Sequence, residues 1–189
     1  MAQVVVIGAD AAGATVAANV RRRLPEGHQV VVLERGQWTS YSACGIPYWV
    51  SGEIRSADQL IARTPEEHRR NGIDLRIGVE ATAIDRDRKV VVTDHGDVPY
   101  DKLVIATGAE PVRPDLPGIR ADGILGVQSI DDGQRVLEAI GTDPRHVVVV
   151  GSGYIGMEMA EACVARGLDT TVVERSATPL RVVEPQIGD

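Results

Sequence analysis

The chain has 189 residues, 43% hydrophobic and 25% charged, an ordinary soluble composition with enough apolar mass for a core. Its formal net charge is −7 and Lys89 and Lys102 are its only lysines, which excludes a general nucleic-acid-binding surface, because neutralising phosphates needs a basic face. Two cysteines, Cys44 and Cys163, exclude a disulfide framework and match no zinc spacing; no window approaches bilayer-spanning length, and the expected compartment is a reducing cytoplasm with no membrane partner and no metal.

In chain order, Gln3 to Ile7 is a short apolar run that reads as a buried parallel strand. Gly8-Ala9-Asp10-Ala11-Ala12-Gly13 follows, then an Ala-rich helix to about Arg23, a break at Pro25-Glu26-Gly27, and a second strand from Gln29 to Leu33. This βαβ unit ends in Glu34, 26 residues after the first glycine. Such a unit places a tight turn at Gly8, close helix packing at Gly13, a pyrophosphate on the helix N-terminus and a ribose hydroxyl on the acid. The middle glycine of the fingerprint is Asp10, whose carboxylate would repel a pyrophosphate unless it turns away or accepts hydrogen bonds.

Ser40-Tyr41-Ser42-Ala43-Cys44-Gly45-Ile46-Pro47-Tyr48 comes next, with Gly45 and Pro47 suiting a tight turn into a short helix. Cys44 is there either a reactive thiol, its thiolate favoured by the helix start, or a small buried hydrophobe. Tyr41 and Tyr48 read as packing residues. Ser56 to Ile61 and Pro65 to Arg70 predict short helices, with His68 on a charged surface. Ile73 to Ile84 and Lys89 to Thr93 predict meander strands joined at Asp85-Arg86-Asp87-Arg88, with a hairpin signal at Asp94 to Asp97. Leu103 to Ala106 is a buried strand ending in Thr107-Gly108, and Pro111, Pro114 and Pro117-Gly118 mark a linker.

The second segment repeats the first. His146 to Val150 is a strand, Gly151-Ser152-Gly153-Tyr154-Ile155-Gly156 is a full GxGxxG, and a helix runs to about Arg166, where Gly167 ends it. Thr170 to Val173 is a strand ending in Glu174, 23 residues after Gly151. Cys163, inside the Ala-rich helix, reads as core. Two dinucleotide sites on one chain point to two nucleotide cofactors exchanging electrons, with Cys44 placed to receive them.

These stretches, VVVIGADAAGATVAANVRR, VVLERGQWTSYSACGIPYWVSGEI, LIARTPEEHR, YDKLVIATGAEPVRPDLPGI and VVVVGSGYIGMEMAE, resemble the N-terminal part of the pyridine nucleotide-disulfide oxidoreductases. The single-cysteine branch, with its coenzyme A-disulfide reductases, NADH oxidases and peroxidases, and persulfide reductases, is the closest in pattern. The resemblance implies an α/β chain of two Rossmann-like dinucleotide-binding folds: an FAD-binding segment over 1–113 with an inserted β-meander, then an incomplete NAD(P)-binding segment over 114–189. Gly8, Ala9, Asp10, Ala11, Ala12, Gly13, Glu34, Arg35, Ala81, Thr107 and Gly108 would hold FAD. Gly151, Gly153, Tyr154, Ile155, Gly156, Glu158 and Glu174 would hold NAD(P)H; Glu174 favours NADH, while Arg175 leaves a 2′-phosphate open.

Cys44 would be the redox-active residue beside the flavin. The two-cysteine branch carries a partner thiol five positions later; here that position is Trp49. Cys44 would therefore cycle through a mixed disulfide, a persulfide or a sulfenate. Thr15, Arg22 and Ser40 match coenzyme A contacts of the branch, whereas Asn19 and Ala43 stand where glutamine and asparagine occur. Arg21-Arg22-Arg23 otherwise reads as a solvated helix end. The implied acceptor is a small-molecule disulfide or persulfide, or oxygen or peroxide in an oxidase. A truncated nucleotide-binding module without turnover is the non-enzymatic alternative. The expected full-length parent is a homodimer whose C-terminal dimerisation domain is absent here.

Overall fold

The computed structural model describes residues 2–25 and 27–180. In chain order its first elements are β1 (Gln3–Ile7), α1 (Ala11–Arg23), β2 (Gln29–Glu34), α2 (Ile46–Ser51), α3 (Pro65–Arg70), β3 (Asp74–Ile77), β4 (Ala81–Asp85), β5 (Val90–Thr93) and β6 (Gly96–Pro99). β7 (Lys102–Ile105), α4 (Ile130–Ile140), β8 (His146–Val150), α5 (Tyr154–Ala165) and β9 (Asp169–Val173) complete them. The chain divides into two compact units, one of Met1–Tyr41 and Ile61–Ala109, the other of Ser42–Leu60 and Glu110–Asp189.

The first unit is built on a four-stranded parallel sheet of order β3-β2-β1-β7. Alternation along its central strands decides what covers each face, since successive strand residues point to opposite sides. Val6, Val30 and Val32 pack with Ala17 of α1 and with Ile73 and Leu75 on one side. Val5, Ile7, Val31 and Leu33 pack with Val91 and Val98 of the antiparallel meander β4-β5-β6 on the other. Both faces are thus covered, which is why β1 and β2 read as continuous apolar runs.

The Ile73 to Ile84 stretch is not one meander strand. β3 pairs parallel with β2, Leu75 opposite Val32, and only β4 joins the meander. Ile73 and Leu75 are needed under α1, so the chain spends four residues in the main sheet before turning at Gly78. Ser56 to Ile61 holds the expected short helix, of 3-10 form, at Ala57–Leu60. His68 is also corrected: it is 2% exposed, not on the surface. A Thr64–Glu67 capping box starts α3, and its six residues pack against β3. A helix that short is too brief for its inward face to show as a period in sequence.

In the second unit β8 and β9 pair in parallel, Val149 opposite Val172. α5 ends in a Schellman motif: Leu168 N–H donates to Cys163 O (3.1 Å) and Gly167 N–H to Val164 O (2.8 Å). Cys163 is in the core, as its Ala-rich helix suggests, at 3% exposure. α2 packs against α4 and α5, burying Ile46, Trp49 and Val50, and Arg166 Nε donates to Val50 O at 2.6 Å, capping the C-terminal end of α2 with a cation. Tyr48, on the opposite side of the same helix, is half exposed. Among the described residues no helix is long and apolar enough to cross a membrane.

Candidate functional site

Each unit contains a strand–turn–helix of the same construction. After β1, Gly8 turns the chain at φ +99° and its N–H donates to Leu33 O (2.8 Å). A Cβ on Gly8 would lie 2.3 Å from Ala106 O, and one on Gly13 would lie 1.9 Å from Gly8 O. Glycine at both positions lets α1 close onto the strand end, and Thr107 lies beside the same turn. Ala11 and Ala12 are exposed at the start of α1, where the first helical amides have no intrahelical acceptor. A cradle this tight, floored by glycine and facing solvent with amides, fits a pyrophosphate.

Asp10 occupies the N-cap without making a cap hydrogen bond, and its Oδ1 instead accepts from Tyr41 N–H at 3.2 Å. Burial pushes its carboxyl above the usual range; the Tyr41 and Ala11 amides oppose that rise, and the Glu34 charge adds to it. The substituted glycine position therefore carries a tethered carboxyl that is easier to neutralise than a solvated aspartate.

After β8 the pattern recurs. Gly151 N–H donates to Val173 O (2.8 Å), and a Cβ on Gly156 would lie 2.0 Å from Gly151 O. Gly153 faces open space, and Tyr154 and Ile155 are exposed at the start of α5. A groove of about 760 Å³ runs along β8 and this turn, lined by Val127, Val136, Val148, Val150, Gly153 and Tyr154, with dimensions suited to a mononucleotide or larger. Glu158 lies further along α5, bordering a shallower depression with Glu161.

The acid closing each βαβ unit is used alike. Glu34 accepts from Ala9 N–H on one oxygen and Gly36 N–H on the other, both at 2.8 Å. Glu174 accepts from Ser152 N–H and Ser152 Oγ, both at 2.9 Å, and from Ser176 N–H at 2.8 Å. The Ser152 amide, then the Ser176 amide and the two hydroxyls, hold the Glu174 carboxyl down to about 2. A carboxyl lower in the folded than in the unfolded chain stabilises fully above its ordinary value of about 4.3 and loses that stabilisation as pH falls toward 2. Urea midpoints measured from pH 7 to 3 are expected to fall more steeply for the wild type than for Glu174→Gln; parallel curves would contradict this.

Of the remaining candidates, Thr15, Asn19 and Arg22 share one face of α1: Asn19 Nδ2 donates to Thr15 O (2.9 Å), and Arg22 donates to Asn19 Oδ1 (3.0 Å). Arg35 is exposed after β2, Gly108 is exposed beyond β7, and Ala81 opens β4. Ala43 and Cys44 are exposed in a 3-10 turn, Ala43–Gly45, that leads directly into α2. Among the described residues no cluster of His, Cys, Asp or Glu could hold a metal ion.

Ser40 has φ +48°, donates its N–H to Ala9 O (3.1 Å), and sets its Oγ 2.9 Å from His68 Nε2. Thr39 Oγ1 donates to the same Ala9 carbonyl at 2.7 Å. His68, read from the sequence as a surface residue, and Thr39 belong to no spaced motif, so nothing in the sequence marks either as part of this turn. Burial, then the Arg63 charge, pushes the His68 imidazole below its usual value, against the pull of Glu67. A base lowered in this way is neutral above about 6.5 and costs stability as pH falls below that. His68→Leu keeps most of the volume but leaves Ser40 Oγ without its partner, and is expected to cost about 1–3 kcal/mol in denaturant titrations. An unchanged midpoint would refute that role.

A sequence profile described as pyridine nucleotide-disulphide oxidoreductase matches residues 2–189. An NADH oxidase of Methanocaldococcus jannaschii is 38% identical over 98% of this chain and 43% of its own length. An NAD(P)H coenzyme A polysulfide/persulfide reductase of Pyrococcus horikoshii is 37% identical over 95% of this chain and 41% of its own. The crystal structure of reduced CoADR-RHD from Bacillus anthracis superposes with TM-score 0.95 at 32% identity, covering 99% of this chain and 35% of that one. The chain thus spans about two fifths of the curated relatives it matches.

Proposed function

This chain belongs to the pyridine nucleotide-disulphide oxidoreductase family, and from that premise we propose that it serves FAD- and NAD(P)H-dependent reduction of a small-molecule disulfide or persulfide through Cys44. The observation that carries the reading is the contrast between its two thiols. Cys44 is exposed in the turn before α2, whereas Cys163 is buried in the core. A disulfide substrate can reach the first and not the second.

In this reading the Gly8–Gly13 turn and the start of α1 hold the pyrophosphate of FAD, with Glu34 toward its ribose and Thr107-Gly108 at the strand end. The Gly151–Gly156 turn holds NAD(P)H. FAD, when bound, supplies a two-electron relay between dihydronicotinamide and sulfur. Cys44 Sγ, as thiolate, attacks one sulfur of the acceptor, forming a mixed disulfide and expelling the other half as a thiolate. Two electrons then break the mixed disulfide, restoring the Cys44 thiolate and releasing the second half; NAD(P)H and one proton balance two thiols formed. Thr15, Asn19 and Arg22 present a hydrogen-bonding, cationic face suited to a phosphorylated thiol such as coenzyme A.

The test is an anaerobic visible spectrum of the FAD-reconstituted protein, before and after NADH, followed by thiol release from coenzyme A disulfide. Flavin bleaching with release of two thiols per NADH supports the proposal; bleaching without thiol release refutes the acceptor. A second reading, an NADH oxidase or peroxidase cycling Cys44 as a sulfenate, is favoured by the M. jannaschii relative's name. It predicts NADH-dependent oxygen or peroxide consumption that ignores added disulfide.

A further inference from the structure

We propose that Arg166 is a positioning residue for Cys44: the segment that carries the thiol is held by the second fold, and Arg166 fixes the far end of the helix behind it. The inference rests on reading Cys44 as the reactive thiol and deepens that reading.

In sequence Cys44 follows the first βαβ unit, yet Ser42–Leu60 packs as part of the second compact unit. Ser42 N–H donates to Leu60 O (2.9 Å) and closes the segment at its base. Leu60 also lies under the residue after the thiol, where a Cβ on Gly45 would fall 2.5 Å from Leu60 Cδ2. Beyond this turn α2 is only six residues long. A helix of that length is not stable on its own hydrogen bonds, so its direction must be set from outside.

Two features of the second fold set it. α4 carries Gly133, and Ile46 and Trp49 fill the space that a side chain there would take. A Cβ on Gly133 would lie 2.9 Å from Ile46 Cγ2 and 3.1 Å from Trp49 Cζ3. α5 supplies Arg166. Tyr48 O and Trp49 O, near the end of α2, accept from Ile54 N–H (3.0 Å) and Gly52 N–H (3.2 Å), donors local to the segment. Val50 O instead accepts from Arg166 Nε at 2.6 Å, a donor 116 residues away. The guanidinium also lies flat over Gly52, which has φ +96°. A Cβ at Gly52 would be 3.3 Å from both Cζ and Nη2 of Arg166 and 3.5 Å from Nη1, so it would sit above the plane of the group. A charge-assisted bond and a planar contact thus act at the end of α2, where a short helix otherwise frays.

The consequence reaches the thiol because Cys44 is two residues from Ile46. Turning α2 in its notch over Gly133 turns the Cys44 side chain with it. Attack on a disulfide brings three sulfurs into line, so its rate depends on where Sγ points. Alkylation by a small reagent at an exposed thiol asks much less of that direction.

The experiment measures two rates at Cys44 without added nicotinamide nucleotide: alkylation by iodoacetamide, and mixed-disulfide formation with coenzyme A disulfide and with 5,5′-dithiobis(2-nitrobenzoate). Peptide mass confirms the site, since Cys163 is buried. Arg166→Gln should slow mixed-disulfide formation about tenfold while leaving alkylation within about twofold of wild type. Arg166→Lys, whose ammonium can still donate to Val50 O, should recover to within about threefold of wild type. Gly133→Ala, which displaces Ile46 and Trp49 from the other side, should show the same split between reagents. Arg88→Gln, an equal charge change on the exposed meander hairpin, should alter neither rate. An Arg166→Gln protein that reacts as wild type does, or that slows with every reagent alike, would overturn the inference, as would failure of lysine to rescue. Should wild-type Cys44 ignore coenzyme A disulfide, the acceptor reading fails, and Arg166 is judged by the same outcomes on the aromatic disulfide.

Discussion

Gly156→Ala should lower the unfolding free energy by about 3 kcal/mol or more, and Gly13→Ala by a similar amount. In both, the added methyl would fall about 2 Å from a backbone carbonyl oxygen, that of Gly151 or of Gly8. Backbone cannot swing aside as a long side chain can, so the helix must lift from the strand end and the packing beneath it opens. Under Gly13 that packing is the cluster of Val6, Ala17, Val30 and Val32. Gly153→Ala provides the informative contrast, because a Cβ there meets nothing within 4 Å and the φ is ordinary. Its stability should stay within about 0.5 kcal/mol of wild type. Its nicotinamide-dinucleotide affinity should nevertheless fall, since the methyl enters the space where a pyrophosphate would approach the backbone. Urea unfolding and nucleotide titration on the three variants separate these effects. A Gly153→Ala protein that binds NADH and NADPH as wild type does would remove the dinucleotide from that turn.

Cys44→Ser is expected to abolish thiol release from a disulfide acceptor, by at least about a thousandfold, or ~4 kcal/mol in the activation barrier. Serine is close in size at this exposed position, so the fold should be unaffected. Its hydroxyl ionises far less readily than a thiol and cannot form a mixed disulfide. Reduction of bound flavin by NADH should survive, because neither glycine turn uses Cys44. Cys163→Ser is the matched control: burial pushes that thiol up, and no acceptor reaches it. It should cost stability by about 1–2 kcal/mol without abolishing thiol release. Retained thiol release in Cys44→Ser would sink the proposed chemistry. Loss of oxygen-coupled NADH turnover, with no disulfide reduction in the parent, would instead favour the oxidase reading.

Much of the architecture was legible in the residues. Both βαβ units could be read because a buried parallel strand must be apolar throughout, a tight strand–helix turn must be glycine, and an acid must close the second strand. Gly8, Gly13 and Glu34, and Gly151, Gly156 and Glu174, obey those local demands at fixed spacings. The turn before α2 was legible from Gly45 and Pro47 for the same reason, and the Ala-rich stretch around Cys163 announced its own burial.

Tertiary structure alone decided the rest, because the remaining facts depend on partners distant in sequence. β3 joined the main sheet since Ile73 and Leu75 were required beneath α1, which no local period reports. His68 was buried because α3 packs against β3 and offers its imidazole to Ser40, 28 residues away. The tether of Asp10 to Tyr41, 31 residues on, turned a misplaced carboxylate into a held one. The clearest case is Glu174. The sequence determined that an acid stands at the end of β9, but only the fold brought Ser152 against it across 22 residues. A carboxylate's character is set by the donors it meets, and those are chosen by how the chain folds back on itself.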